Sequence, residues 1–100
     1  MNDVPPFQLT LSAVKRGYAE SGLKPCKGCF VSTSGDSCCP FSAAAFAYYG
    51  RIDWVTFAED IGMTREQMES YWMGVDGKTL FVQDPEYWRL GQEHAKALGL

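Results

Sequence analysis

Four cysteines fall within fourteen residues: Cys26-Lys27-Gly28-Cys29, then eight residues, then Cys38-Cys39. Thiols at this density invite several chemistries. Two thiolates spaced by two residues curl around one ion, and Gly28 eases the turn between them. Cys26, Cys29, Cys38 and Cys39 are therefore candidate metal ligands, and zinc is the cofactor that such a donor set would take. A redox reading uses the same residues. Cys39 directly precedes Pro40 and an Ala-rich run, and proline suits the first position of a helix. A thiol capping that helix would feel unpaired N–H groups and the positive dipole end, which lower its pKa. Cys39 is on that ground the candidate reactive thiol, with Cys26 or Cys29 as resolving partner. The remaining readings are bland: buried, reduced cysteines packing as small apolar side chains, or a structural disulfide.

Cys29-Phe30-Val31-Ser32 reads as a short strand and Thr33-Ser34-Gly35-Asp36 as a turn, giving a minor β-hairpin near residues 27–39. A short hairpin followed by a cysteine at a helix start resembles a treble-clef zinc finger, over about fifteen residues. The resemblance implies a structural zinc held by Cys26, Cys29 and the second cysteine pair. That pair departs from the family pattern, because Cys38 and Cys39 are adjacent where the family has a spaced pair. Side chains of neighbouring residues diverge, so three thiolates with His94 or water would have to complete the tetrahedron.

A second motif lies in residues 53–74. Ala58, Gly62 and Met68 have the spacing of helix-turn-helix DNA-binding proteins, and Thr64-Arg65-Glu66-Gln67 would open the recognition helix. The charges oppose that function, since Arg65 faces Glu66 and Glu69 on the exposed positions and phosphates would be repelled. The same glycine and cap serve any tight corner between helices. Other motifs fail outright. Gly77-Lys78-Thr79 lacks the leading glycine of a phosphate-binding loop, which would fall at Trp72. Asp76-Gly77 has too few oxygen ligands for an EF-hand. A Cys–His hydrolase would have one histidine, His94, and no residue to orient it. Tyr48-Tyr49 and Tyr71-Trp72 could floor a ligand pocket, although their helical spacing favours the core.

The elements that must position these groups are mostly helices. Phe7, Leu11, Val14 and Tyr18 recur at helical spacing, and Gly22 closes that helix. Leu23-Lys24-Pro25 breaks the pattern. Pro40 opens a helix that Gly50 ends, and Asp53 caps another that Gly62 ends. Thr64 and Gln67 form a capping box, with Met63 and Met68 placed as a hydrophobic staple. This helix is expected to run to Gly74, with Val75-Asp76-Gly77 as a turn. Leu80-Phe81-Val82 reads as a strand or a tucked-in loop. Asp84-Pro85-Glu86 begins the last helix, with Tyr87, Leu90, Gly91, His94 and Leu98 on one stripe. The fold class is therefore α+β, mainly α: about five short helices and one hairpin, in a single domain spanning 1–100.

With 100 residues, 46% apolar and 14% aromatic, the chain suits one globular domain rather than a disordered segment. The net charge is −3, divided as +2 over residues 1–51 and −5 over residues 52–100. An acidic half of this kind fits a protein partner or solubility, not nucleic acid or an anionic membrane. The longest near-apolar run, residues 43–50, is far short of the ~20 residues a membrane span needs. The N-terminus lacks the basic and apolar regions of a signal peptide, so a cytoplasmic setting is expected. In the absence of any catalytic constellation, the expected function is a non-enzymatic protein-binding or regulatory module. The competing expectations are a zinc-stapled or thiol-switch module on the four cysteines and a DNA-binding regulator.

Overall fold

The computed structural model describes residues 8–27, 31–32, 34–80 and 82–100. Among the described residues there are five helices: α1 (Leu11–Ser21), α2 (Pro40–Tyr49), α3 (Trp54–Asp60), α4 (Arg65–Asp76) and α5 (Pro85–Ala97). Two short strands, β1 (Lys24–Pro25) and β2 (Ser37–Cys38), lie between α1 and α2. The mainly helical α+β class is what the sequence predicts. No described helix is long and apolar enough to cross a membrane.

Local chemistry accounts for most helix ends. Thr10 accepts a hydrogen bond from the Ala13 N–H, Asp53 from Thr56 and Asp84 from Tyr87, each satisfying a donor that the first turn leaves unpaired. At α4 the capping box is complete, because Gln67 N–H reaches Thr64 and the Gln67 side chain accepts from the Thr64 N–H. The α1 start at Leu11 is set by Thr10, while Phe7 lies outside the described residues. Helix α4 runs past Gly74 to Asp76, and the left-handed Gly77 (φ 73°) is its cap. Gly74 is a helix-interior residue whose missing side chain lets α5 approach.

The strand region differs from a plain hairpin. Val31 and Cys38 do form an antiparallel bridge, closed through the turn by the Ser32 N–H to Ser37 carbonyl bond of 2.9 Å. Cys29 and Phe30, the expected first half of that strand, lie outside the described residues. The partner on the other side of Cys38 is β1, paired in parallel with Lys24 opposite Ser37 and Pro25 opposite Cys38. Lys24-Pro25, expected only to break the helical pattern, therefore supplies a strand.

Two helix pairs make the body: α1 packs chiefly on α2, and α4 on α5. Glycine sets both approaches. A Cβ on Gly17 would sit 1.7 Å from the Ala43 carbonyl oxygen, and one on Gly74 would sit 2.0 Å from that of Trp88. Helix α2 is apolar around its circumference, with residues 40–45 all buried, as a central helix requires. Phe41 joins the pairs, its ring centroid 5.2 Å from Phe57 of α3 and 6.0 Å from Tyr71 of α4. Val14, Phe41, Phe57, Tyr71 and Ala95, one from each helix, belong to the same buried cluster.

Candidate functional site

The cysteine region is organised around β2. The Cys38 carbonyl accepts from the Cys26 N–H at 3.1 Å and from the buried Tyr18 hydroxyl at 2.8 Å. Three serine hydroxyls, of Ser34, Ser32 and Ser37, donate to one oxygen of Asp36, stitch the turn together and hold that carboxyl below its usual range. Cys26 is half-buried and disulfide-bonded, whereas Cys38 and Cys39 are free thiols with 0% and 5% exposure. Cys29 lies outside the described residues.

Acid–base chemistry here is set by burial. Cys39 does cap α2 from an extended conformation, and its sulfur lies 3.4 Å from the Ser42 hydroxyl. Burial nonetheless pushes its thiol up, outweighing the hydrogen bond from Ser42. This is opposite to the direction that the helix start alone gives, because loss of water around a thiolate costs more than one dipole end returns. Burial, with Cys39 alongside, likewise pushes Cys38 up to about 12. Both thiols are protonated at neutral pH.

For metal binding, no group of three or more His, Cys, Asp and Glu side chains converges among the described residues. His94, a candidate fourth ligand, is 3% exposed, and its Nδ1 shares a 2.8 Å hydrogen bond with the Tyr71 hydroxyl. Burial lowers the His94 pKa and raises that of Tyr71, so both are neutral partners inside the core.

The helix-turn-helix positions form a corner between α3 and α4. Gly62 takes φ 73°, its N–H bonds Glu59, and the Met63 N–H returns to the Ala58 carbonyl at 2.9 Å. That closure explains the alanine–glycine spacing as helix-end chemistry. Met63 is buried and Met68 packs against the core, as the staple requires. On α4, Arg65 Nε bonds Glu69 at 3.1 Å, so the one cation at the helix start is already paired.

A cleft of about 430 Å³ opens beside α4, lined by Glu69, Trp72, Met73, Asp76 and Gln83. The first four stand at i, i+3, i+4 and i+7, one stripe of the helix. Gln83 is brought there by Ser70, whose fully buried hydroxyl accepts the N–H groups of Gln83 at 3.1 Å and Asp84 at 2.9 Å. The far end of the same connection is fixed by Trp88 Nε1, which donates to the Lys78 carbonyl at 2.7 Å. Between these anchors Leu80 projects with 74% exposure. The expected strand or tucked-in loop at 80–82 is thus an exposed connection at Leu80, while Phe81 lies outside the described residues. Of the aromatic pairs, Tyr71 is core and Trp72 lines the cleft, its ring edge-on to Trp54 with centroids 5.9 Å apart.

From the sequence, Glu69 is expected on an exposed helix face and Asp76 in a turn, and Met73 and Gln83 carry no expected role; in the structure Asp76 is the last residue of α4. The i, i+3, i+4, i+7 stripe was available as a signal, but the Ser70 link to Gln83 was not. Comparison with protein-family models, curated proteins and solved structures finds no match to this chain.

Proposed function

We propose that the protein is a non-enzymatic protein-binding module that docks a basic segment of its partner on the α4 cleft. The observation that carries this reading is the lining of that cleft, where Asp76 and Glu69 flank Trp72 and Met73 and a partner's cation would share Glu69 with Arg65. A Lys or Arg side chain laid across such a surface gains from the indole face and from the carboxylates, and its aliphatic stem covers the apolar floor. Methionine suits a surface that must adapt to a peptide. Exposed Leu80 lies on the same anchored connection that carries Gln83 to the cleft. The −5 charge of residues 52–100 favours encounter with a cation. A cytoplasmic setting is part of the proposal, and fractionation of cells expressing the chain tests it.

Calorimetric titration tests the docking reading with two peptides of equal length, one alternating Lys/Arg with Leu and one alternating Glu with Leu. The basic peptide binds, the acidic one does not, and Asp76→Asn together with Glu69→Gln weakens binding about tenfold. Equal affinity for the two peptides, or no heat with either, overturns the reading. Zinc and DNA have no place in it, since no observation on the cysteines or on Arg65 favours them.

A further inference from the structure

On the reading that a basic segment docks at the α4 cleft, we propose that Arg65 is the residue that sets the cleft's affinity and selectivity. It holds Glu69 as an internal stand-in for the partner's cation, and a docked cation must displace it. Arg65 stands one turn before Glu69, and Trp72, Met73 and Asp76 continue the same row of the helix. Arg65 therefore extends the row that lines the cleft. Cα–Cβ bonds tilt toward the start of a helix, so Glu69 leans back over the turn that carries Arg65. There Arg65 Nε meets Glu69 Oε2 at 3.1 Å.

Helix energetics do not account for a cation at this position. Arg65 is the first residue of α4, where the positive end of the helix dipole favours an acidic side chain such as the neighbouring Glu66. Its order relative to Glu69 is also the weaker one, since a helix gains more when the acidic residue precedes the basic one by four. The Arg65 side chain is 81% exposed and that of Glu69 37%, so water competes for both and the pair is held loosely. Such a pair is exchangeable. The long Arg65 side chain can swing into solvent while α4 stays in place.

Recognition changes accordingly. With Arg65 present, the charge of Glu69 is already compensated, and a second cation arriving there meets like charge. A segment gains from a cation at the Glu69 end of the cleft only after Arg65 has moved away. Arg65 thus lowers the affinity for segments that bring a cation to this end, and its removal tightens their binding. Removing it also makes the whole acidic half more negative, an effect independent of Glu69. Only the part of the gain that requires Glu69 belongs to the competition, and a double-mutant cycle isolates that part.

The test titrates the full-length chain calorimetrically with the peptide alternating Lys/Arg with Leu, at one salt concentration, in wild type, Arg65→Gln, Glu69→Gln and the double variant. Arg65→Gln is expected to bind about two- to fourfold more tightly than wild type, with a urea midpoint no lower than the wild-type value. In the Glu69→Gln background the same change should tighten binding by less than about 1.5-fold, because the contested carboxylate is gone. Equal tightening in both backgrounds marks net charge alone and overturns the proposal, as does unchanged or weaker binding by Arg65→Gln. In those cases wild type still binds the basic peptide and not the acidic one, and the docking reading stands. Absence of binding by both wild type and Arg65→Gln overturns the docking reading and this proposal together.

Discussion

Tyr71 and His94 share a 2.8 Å hydrogen bond inside the α4–α5 interface, where neither has water as an alternative. Removing the hydroxyl in Tyr71→Phe strands a buried imidazole nitrogen, at a cost of about 1–3 kcal/mol, read as a lower urea midpoint. The same pair makes stability depend on pH. Burial holds the folded His94 below the usual 6.5, so the unfolded chain takes up the proton first as pH falls. The stabilisation is complete above about 6.5 and is lost as pH falls from there through the lowered folded value. Urea midpoints at pH 7.5 and 5.5 should fall toward the acid side in the wild type, and the drop should shrink in His94→Gln. The sequence puts His94 on the α5 stripe as a packed or half-exposed residue, and the structure buries it. Its partner, 23 positions earlier, was not visible in the sequence.

At the scale of elements, the close approach of α4 and α5 depends on two glycines. A Cβ at Gly91 would lie 2.2 Å from the Tyr71 carbonyl oxygen, and one at Gly74 would lie 2.0 Å from that of Trp88. Both obstacles are backbone and cannot swing aside. Alanine is the better helix former by about 1 kcal/mol, so a helix considered alone would gain from Gly74→Ala. The pair of helices loses more, and we expect net destabilisation of about 3 kcal/mol by urea denaturation. Thr64→Ala, which removes half of the capping box, costs a smaller ~1 kcal/mol. Helix starts were legible because a cap and the backbone N–H that donates to it lie within three residues. The end of α4 was misplaced because Gly74 looks like a stop when its tertiary neighbour is unknown.

For the molecule as a whole, charge and the cleft work together. The −5 of residues 52–100 acts over roughly the 8–10 Å Debye length at physiological salt. Docking of a basic peptide should therefore weaken about three- to tenfold between 50 and 300 mM salt, measured by the same titration. A duplex DNA probe should give no mobility shift at either salt, because Arg65 is paired with Glu69 and no compensating basic surface is offered by this half. The charge asymmetry was readable by counting. The cleft it serves was not, since Gln83 reaches α4 only through Ser70, thirteen positions away.

The sequence by itself determined the class of fold and most element boundaries, because caps, proline at the first turn and apolar periodicity act over one or two turns. Tertiary structure decided what those elements bring together. It paired Lys24-Pro25 with Ser37-Cys38, placed Cys26 alongside the second cysteine pair and buried Cys39 deeply enough to reverse the sign of its helix-start chemistry. Among the described members of the cysteine cluster, Cys26 is disulfide-bonded, and Cys38 and Cys39 are buried thiols whose pKa values burial raises. A thiol's acidity follows the water it loses, and that loss is set by every element packed around it, not by the residues beside it in the chain.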